Sequence, residues 1–361
     1  MANHFAAVLP VLREQAGLSD AVLDAVFGVY AVGLLPGLLG GGALSDRIGR
    51  ARVVLPGAVI AVVGTVSLLA WHDEYGLAVG RFVVGVGAGL AMGAGTAWCA
   101  DLRGARGTML AGVLLTTGFG CGPLVAGLLA QFAPAPLEVP FVVAAILGAA
   151  SAALAMRWAA PVSRHRDAVV SVDATGSPWR PLGWALPSSL FVFSCVTVAF
   201  VTLPARLPER YGGPLLPGAA AALALGSGLV VQLLARRFGV GPQAGSIGAG
   251  LAAAGFGCAA LGGAEPPVWL VLPTGVILGA AYGLCLRAGL LDIEELSPTH
   301  LRGALTGVYY VGTFLGFAVP LLLVALERSA GYLWPLAVLA LLAALAGGSR
   351  AWRIARGGYP T

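Results

Sequence analysis

Long runs of apolar residues, separated by short polar turns, dominate the hydrophobic pattern of this chain. A helix that crosses a bilayer needs about 20 predominantly apolar residues, and eleven runs have about that length. They lie near residues 21–44, 53–71, 77–99, 108–131, 139–158, 182–204, 215–235, 243–262, 268–291, 304–326 and 332–349. The pattern therefore predicts an all-α integral membrane protein.

A twelfth apolar run, from Ala2 to Leu12, has only about half the length of a span and ends at Arg13. It has no basic segment before it and no small-residue cleavage site after it, which argues against a cleaved signal peptide. Two interpretations remain open. The run is either a segment that does not span the membrane, or the second half of a first helix whose start is absent from this sequence.

Composition supports the membrane assignment and excludes several other classes. The chain has 361 residues, 58% of them apolar and only 10% charged, with a mean hydropathy of +0.89. Too few charges remain for a soluble protein of this length, so the expected partner is the lipid bilayer. The net charge of +5 could suggest nucleic acid, but the arginines lie in short loops, where they set topology. The five cysteines have irregular spacing and form no metal or disulfide pattern, so no metal site is expected.

The distribution of arginine predicts the orientation of the chain. Fifteen arginines fall in the alternate loops that include residues 45–52 and in the C-terminal tail, and four fall in the opposite loops. Cytoplasmic loops carry an excess of basic residues. The loop after residue 44 and the C-terminus are therefore expected in the cytoplasm.

The chain also shows an internal duplication. A long polar connection at 159–181 separates a predicted N-terminal transmembrane bundle, 1–158, from a C-terminal bundle, 182–361. Three pairs of similar segments recur at offsets of 190, 196 and 197 residues: Leu44–Gly49 with Leu234–Gly239, Arg106–Gly107 with Arg302–Gly303, and Pro123 with Pro320. This near-constant offset predicts two copies of a six-helix unit.

The loop from Gly41 to Arg52 carries the most informative motif. Its spacing G-x-L-S-D-R-x-G-R-x-R resembles the signature loop between helices 2 and 3 of the major facilitator superfamily of secondary transporters. The resemblance implies two pseudo-symmetric six-helix bundles, with 11 to 12 transmembrane helices of which the first is truncated here. It also implies a conformational latch, a charge contact made in one state of the transport cycle only. The candidate latch residues are Gly42, Asp46, Arg47, Gly49 and Arg50, with Asp101, Arg103 and Arg106 on the next loop of the same side.

Within the latch, Asp46 is expected to cap one helix and to pair with a cation on a neighbouring helix. Arg103 and Arg106 are the expected partners of Asp46, and Asp101 that of Arg47 or Arg50. The second copy of the motif has Arg236 in place of Asp46, so it is expected to lack an equivalent latch. An ordinary charged helix end, with no function, is the alternative.

Two arginines lie inside predicted spans. Arg81 and Gly85 belong to an R-x-x-x-G-x-G-x-G run that resembles the fourth-helix signature of the superfamily, linked there to proton coupling. An arginine in a wet cavity can bias a nearby carboxylate or hold an anion, whereas one near a helix end can extend its charge to the interface. Arg287 could likewise contact a ligand in the cavity, or pair with Asp292, Glu294 or Glu295 close to the interface.

The segment Gly118–Gly127 bears on the direction of transport. Its G-x-x-x-G-P-x-x-x-G spacing, with Gly118, Gly122, Pro123 and Gly127, resembles the fifth-helix antiporter signature found mainly in exporters. The chain departs from that signature at Ala126, where the family pattern has glycine. Close packing through small residues is the alternative explanation.

Aromatic side chains in the spans are candidates for a substrate pathway, although aromatics in spans more often pack or anchor at interfaces. The candidates are Tyr30, Trp98, Tyr282, Tyr309 and Tyr310. His4, in the partial first segment, could titrate.

These features and the resemblance to the superfamily predict a secondary transporter of the cell membrane and a functional monomer. The resemblance implies that it exports a drug-like compound or a metabolite in exchange for protons by alternating access. An uptake permease and a transport-inactive membrane protein are the alternatives. No catalytic motif and no P-loop lysine occur in the sequence, so neither an enzyme nor an ATP-driven pump is expected. No cofactor is expected, since the proton gradient would supply the energy.

Overall fold

The computed structural model describes residues 4–163, 177–208 and 215–359, and these residues form helices and turns without a β-strand. The helices are α1 Phe5–Ala16, α2 Asp20–Ile48, α3 Ala51–Ala70, α4 Glu74–Arg103, α5 Ala105–Phe132, α6 Val139–Ser163, α7 Trp179–Thr197, α8 Leu215–Arg237, α9 Ala244–Leu261, α10 Val268–Leu296, α11 Arg302–Phe314, α12 Val319–Ala330 and α13 Leu333–Ala355. The predicted connection at 159–181 lies largely outside the described residues.

Within the described residues, eleven helical stretches are long and apolar enough to cross a membrane. The all-α membrane fold predicted from the hydrophobic pattern is therefore confirmed. The stretch Arg302–Glu327 combines α11, a 3-10 turn at Leu315–Ala318 and most of α12. Pro320 lies in the first turn of α12, where its missing N–H costs no helical hydrogen bond. The opening run forms α1, which ends at Gly17 in the left-handed conformation and is not among the eleven stretches.

Local signals in the sequence explain several helix boundaries. The Ser19 side chain accepts a hydrogen bond from the Val22 nitrogen at 3.4 Å and caps α2. The Asp73 side chain accepts one from the Gly76 nitrogen at 3.0 Å and caps α4. Gly49 ends α2 with a φ of 99°, a backbone conformation that favours glycine.

The chain divides into two compact units. The first contains Met1–Ala111, Val125–Trp179 and Ser297–Val311, and the second contains Gly112–Leu124, Arg180–Leu296 and Gly312–Thr361. Each unit thus combines segments from before and after the predicted linker.

Small residues bring the helices of the first unit close together. A Cβ atom at Gly37 of α2 would lie 2.6 Å from the carbonyl oxygen of Val86 in α4. A Cβ atom at Gly64 of α3 would lie 2.6 Å from the Val84 nitrogen, also in α4. Membrane helices associate through close packing of this kind, since lipid tails are as apolar as leucine.

Candidate functional site

The carboxylate of Asp46, near the end of α2, caps the beginning of α11. Its Oδ1 accepts a hydrogen bond from the Gly303 nitrogen at 3.0 Å, and its Oδ2 accepts one from the Ala304 nitrogen at 2.8 Å. The first backbone N–H groups of a helix have no partner within the helix and carry a partial positive charge. The negatively charged carboxylate of Asp46 accepts hydrogen bonds from two of these N–H groups. Both partners of this contact belong to the first unit.

Two arginines and a second aspartate close a ring around this cap. Arg50 donates to Asp46 Oδ1 and, through Nε, to Asp101 Oδ2 at 2.9 Å. Arg302 Nη1 donates to Asp101 Oδ1 at 3.3 Å, and Arg302 is the residue before Gly303 in α11. We call these four side chains, Asp46, Arg50, Asp101 and Arg302, the charge ring. It links α2, the start of α3, the end of α4 and the start of α11.

The charge ring is partly shielded from water. The Asp46 and Arg50 side chains are 7% and 10% exposed, against 21% for Asp101 and 14% for Arg302. Hydrogen bonds to charged groups contribute about 1.5–3 kcal/mol each, more than exposed surface ion pairs. Two positive and two negative charges balance within the ring, so burial leaves no charge uncompensated.

Glycines on both helices permit this close approach. A Cβ atom at Gly42 of α2 would overlap the carbonyl oxygen of Gly303. A Cβ atom at Gly303 would lie 2.7 Å from Asp46 Oδ1 and 2.8 Å from the Gly42 oxygen. The Ser45 hydroxyl adds a further contact, since it accepts from Arg50 Nη1 at 2.8 Å and donates to the Gly42 oxygen at 2.8 Å.

The structure corrects the expected partners of Asp46. Arg103 and Arg106 are exposed, as is Arg47, and Asp46 instead contacts Arg50 and the backbone of α11. The expected pairing of Asp101 with Arg50 is present at 2.9 Å. Sequence reasoning missed Arg302 and Gly303 as site residues, although the pair Arg302–Gly303 had marked the internal repeat.

Arg81 is buried among aromatic rings of the first unit, with 1% of its surface exposed. Its guanidinium lies 4.5 Å from the ring centre of Tyr30 and 4.6 Å from that of Phe5, and it donates to the Phe27 oxygen at 3.3 Å. The interpretation that its charge reaches the interface is therefore wrong. Gly85, one turn along α4, allows the contact with α2, because a Cβ atom there would lie 2.9 Å from the Leu34 nitrogen.

The glycine-rich segment of α5 combines open and packed positions. A Cβ atom at Gly118 would meet open space, whereas one at Gly120 would lie 3.1 Å from the Leu225 Cβ of α8. Pro123 is inside the continuous helix α5 and is buried, as is Gly127, while Gly122 is half-buried.

Most of the predicted pathway aromatics have hydrogen-bonded or packed side chains. The Tyr310 hydroxyl lies 3.0 Å from Thr96 Oγ1 in the first unit. In the second unit the Tyr282 hydroxyl lies 3.1 Å from Thr116 Oγ1, to which Gln232 also donates. The remaining candidates are placed as follows: Tyr309 is buried beside Tyr310 with ring centres 6.0 Å apart, Tyr30 contacts Arg81, and Trp98 is half-buried.

The second unit contains a buried ion pair that sequence reasoning missed. Asp292, 1% exposed, accepts from Arg350 Nη1 at 2.6 Å and from Nη2 at 2.9 Å. The Tyr359 hydroxyl, 3.0 Å from Asp292, also faces this carboxylate. Burial and the nearby negative charges raise the pKa of Tyr359 above its usual value. Asp292 lies 191 residues after Asp101, close to the offset of the internal repeat, and this spacing could have identified it.

Arg287 does not pair with Asp292, one of its expected partners, because Arg350 occupies that carboxylate. Arg287 Nη2 instead donates to the Val240 oxygen at 3.3 Å. At the 190-residue offset of the internal repeat, Val240 corresponds to Arg50 and Arg236 corresponds to Asp46. The second copy therefore lacks counterparts of Asp46 and Arg50, although Asp292 stands close to the position of Asp101.

The helices and the charge ring define a multi-pass membrane protein with a helix-capping ion network at one end. The sequence profile of the Major Facilitator Superfamily matches residues 1–320. The chain belongs to this superfamily, whose members are transporters, and its eleven membrane-length helical stretches identify it as a multi-pass membrane protein.

Similar proteins support the same assignment. The chain is 40% identical to Multidrug resistance protein MdtL of Klebsiella pneumoniae (strain 342) and 33% identical to that of Escherichia coli (strain K12 / DH10B). Each match covers 81 residues, 22% of this chain and 21% of the relative. Among solved structures, the fold is similar to the human organic anion transporter MFSD10, with a TM-score of 0.73, 18% identity and coverage of 96% of this chain and 89% of that one. It is also similar to the proton:xylose symporter XylE, with a TM-score of 0.71, 14% identity and coverage of 99% and 92%.

Proposed function

We propose that this transporter exports a small molecule in exchange for protons by alternating access, and that the charge ring stabilises the state in which its own end of the protein is closed. The excess of arginine around the ring and in the C-terminal tail favours a cytoplasmic location for both. The proposed closed end is therefore the cytoplasmic end, in the cell membrane.

The contact of Asp46 with α11 carries this proposal. Asp46 is on α2, before the predicted linker, and the amide groups that it binds are on α11, after the linker. A path through this end requires α11 to move away from α2, which breaks the cap and the pair of Asp101 with Arg302. An element whose contacts form in only one of two states shifts the equilibrium between them.

The export direction and the cargo class have separate support. The glycine–proline spacing of residues 118–127 resembles the antiporter signature, and the relatives matched over 81 residues are named multidrug resistance proteins. Export of drug-like compounds or metabolites is the function that these two observations favour.

Proton coupling is supported by the position of Arg81. Its charge is enclosed by aromatic rings, where electrostatic interactions are less screened than in water. Protonation of a group near this charge, or arrival of a charged substrate, would therefore change the local free energy strongly.

The test is transport by the purified protein in proteoliposomes, with an imposed pH gradient of either sign and a panel of fluorescent drug-like compounds. An exporter should move the compound in the direction opposite to that of the protons. The pH of the lumen should change at the same time as the compound is transported. Collapse of the gradient with a protonophore should abolish transport against a concentration gradient. Movement of compound and protons in the same direction would indicate an uptake permease instead, and no movement of any compound would reject export of this class.

A further inference from the structure

Arg287 of α10 is a buried cation whose hydrogen-bonding groups are mostly unused. It is 8% exposed, and among the described residues its Nε and Nη1 have no hydrogen-bond acceptor. Its Nη2 makes the single bond to the Val240 oxygen. Burying a charge without a partner is costly, so such a group in a membrane protein points to a ligand.

Two of the acidic residues expected near Arg287, Asp292 and Glu295, contact other groups. Asp292 is bound by both terminal nitrogens of Arg350. Glu295 is close enough to act on the charge of Arg287, but its carboxylate lies 3.2 Å from the Tyr359 hydroxyl and makes no ion pair with Arg287. Ala235, Ala244, Leu284 and Ala288 form one buried apolar cluster, which contains the sequence neighbours of Arg236 and Arg287.

A second cation, Arg236 at the end of α8, acts electrostatically on Arg287. Arg236 and Arg237 form the exposed last turn of α8. The next residue, Phe238, is 74% exposed, and Leu234 on α8 is 43% exposed. A basic rim therefore adjoins an apolar surface at the end of two membrane-length helices.

We propose that Arg287 and Arg236 bind a phosphate group, supplied by the headgroup of an anionic phospholipid or by free phosphate. Arginine is well suited to phosphate, since its guanidinium offers several donors and is less strongly hydrated than an ammonium group. Basic pockets between membrane helices on the cytoplasmic side bind lipid headgroups in this manner. The phosphate accepts hydrogen bonds from Arg287, and the exposed Arg236 adds a second positive charge.

Thermal unfolding of the purified full-length chain tests the site. The protein is compared in neutral detergent without phosphate, in the same detergent with inorganic phosphate, and in nanodiscs of phosphatidylcholine with or without phosphatidylglycerol. Occupancy of the site should raise the melting temperature of the wild type by about 3 °C, because a ligand bound only by the folded state stabilises it. A rise with inorganic phosphate assigns the site to free phosphate. A rise with phosphatidylglycerol alone assigns it to the headgroup.

Three variants test whether a rise in melting temperature depends on Arg287. Arg287→Gln should melt no lower than the wild type without phosphate, since it removes an uncompensated charge, and should lose the ligand-dependent rise. Arg287→Lys keeps the charge and should retain part of the rise, which controls for misfolding. Arg52→Gln removes an exposed arginine at the start of α3, in the first unit, and should keep the full rise. An equal rise in Arg287→Gln, or no rise in the wild type under either condition, would overturn the proposal.

Discussion

Asp46 accepts a hydrogen bond from the backbone nitrogen of Ala304 at 2.8 Å, although 258 positions separate the two residues in the chain. The bond joins the end of α2 to the first turn of α11, and the charge ring surrounds it. The role of this contact in transport can be measured, because the charge, the glycine and the neighbouring ion pairs can each be changed by a separate substitution.

Replacing Asp46 by asparagine should slow transport by about ten- to a hundredfold at equal expression. Asparagine is a good helix cap, but it removes the charge that interacts with Arg50 and the start of α11. The loss of about 1.5–3 kcal/mol unbalances the two states of the cycle. The measurement is the initial transport rate per folded protein in proteoliposomes. Asp73→Asn, at the cap of α4, is the matched control and should transport normally; equal rates for the two variants would argue against a latch.

Replacing Gly303 by alanine should have an effect similar to that of Asp46→Asn, although it removes no charge. The added methyl group would lie 2.7 Å from Asp46 Oδ1, so α11 and α2 must separate. Overpacking of this kind costs about 1–3 kcal/mol. Gly250→Ala is the control, since a Cβ atom there meets nothing within 4 Å. Normal transport by Gly303→Ala would show that the close approach of the two helices is dispensable.

Arg50 and Asp101 should show a coupling free energy of about 1–3 kcal/mol in a double-mutant cycle. Arg50→Gln leaves two part-buried carboxylates without their shared cation, whereas Arg50→Gln combined with Asp101→Asn removes one of these charges. The melting temperature of the double variant in detergent should therefore lie closer to that of the wild type than the sum of the two single effects predicts. The pair Arg52→Gln and Asp101→Asn should be additive, because Arg52 donates to the Ile48 oxygen instead. If the effects are additive in both cycles, Arg50 and Asp101 do not stabilise the protein through their mutual contact.

Arg350→Gln should reduce the amount of folded protein severely. It leaves the Asp292 carboxylate, 1% exposed, without its counterion, and breaking a buried pair costs about 3–5 kcal/mol. Adding Asp292→Asn should restore much of this stability, since no buried charge then remains. Arg356→Gln, at an exposed position of the tail, should behave as the wild type. The measurement is the monodisperse fraction in size-exclusion chromatography after heating.

The hydrophobic pattern was sufficient to predict the helices of this protein, because a bilayer imposes span length and apolar composition on each of them. The choice of Asp46 also followed from the sequence, since its motif is local. The amide groups of Gly303 and Ala304 could not be predicted in the same way. A backbone donor has no sequence signature, and its partner lies more than 250 residues away.

The pairing of Asp292 with Arg350 shows a second limit of the sequence. Arg350 lies near the C-terminal end of the last apolar run, where its charge indicates topology, and Asp292 is one of three acidic residues that the sequence offers as partners of Arg287. Tertiary packing decided otherwise, because α13 brings Arg350 beside both Asp292 and the Trp184 oxygen. Sequence neighbours on one helix are easy to pair in a prediction, whereas partners on packed helices require the fold.

The great distance along the chain between Asp46 and its helix cap has a consequence for biosynthesis. After Asp46 has been synthesised, 257 and 258 further residues must be added before Gly303 and Ala304 exist. Until α11 has been synthesised and inserted, the cap cannot form, and within the charge ring only Arg50 can pair with Asp46 and Asp101. The charge ring can therefore close only after α11 has been made, whereas the contacts among α2, α3 and α4 can form before it.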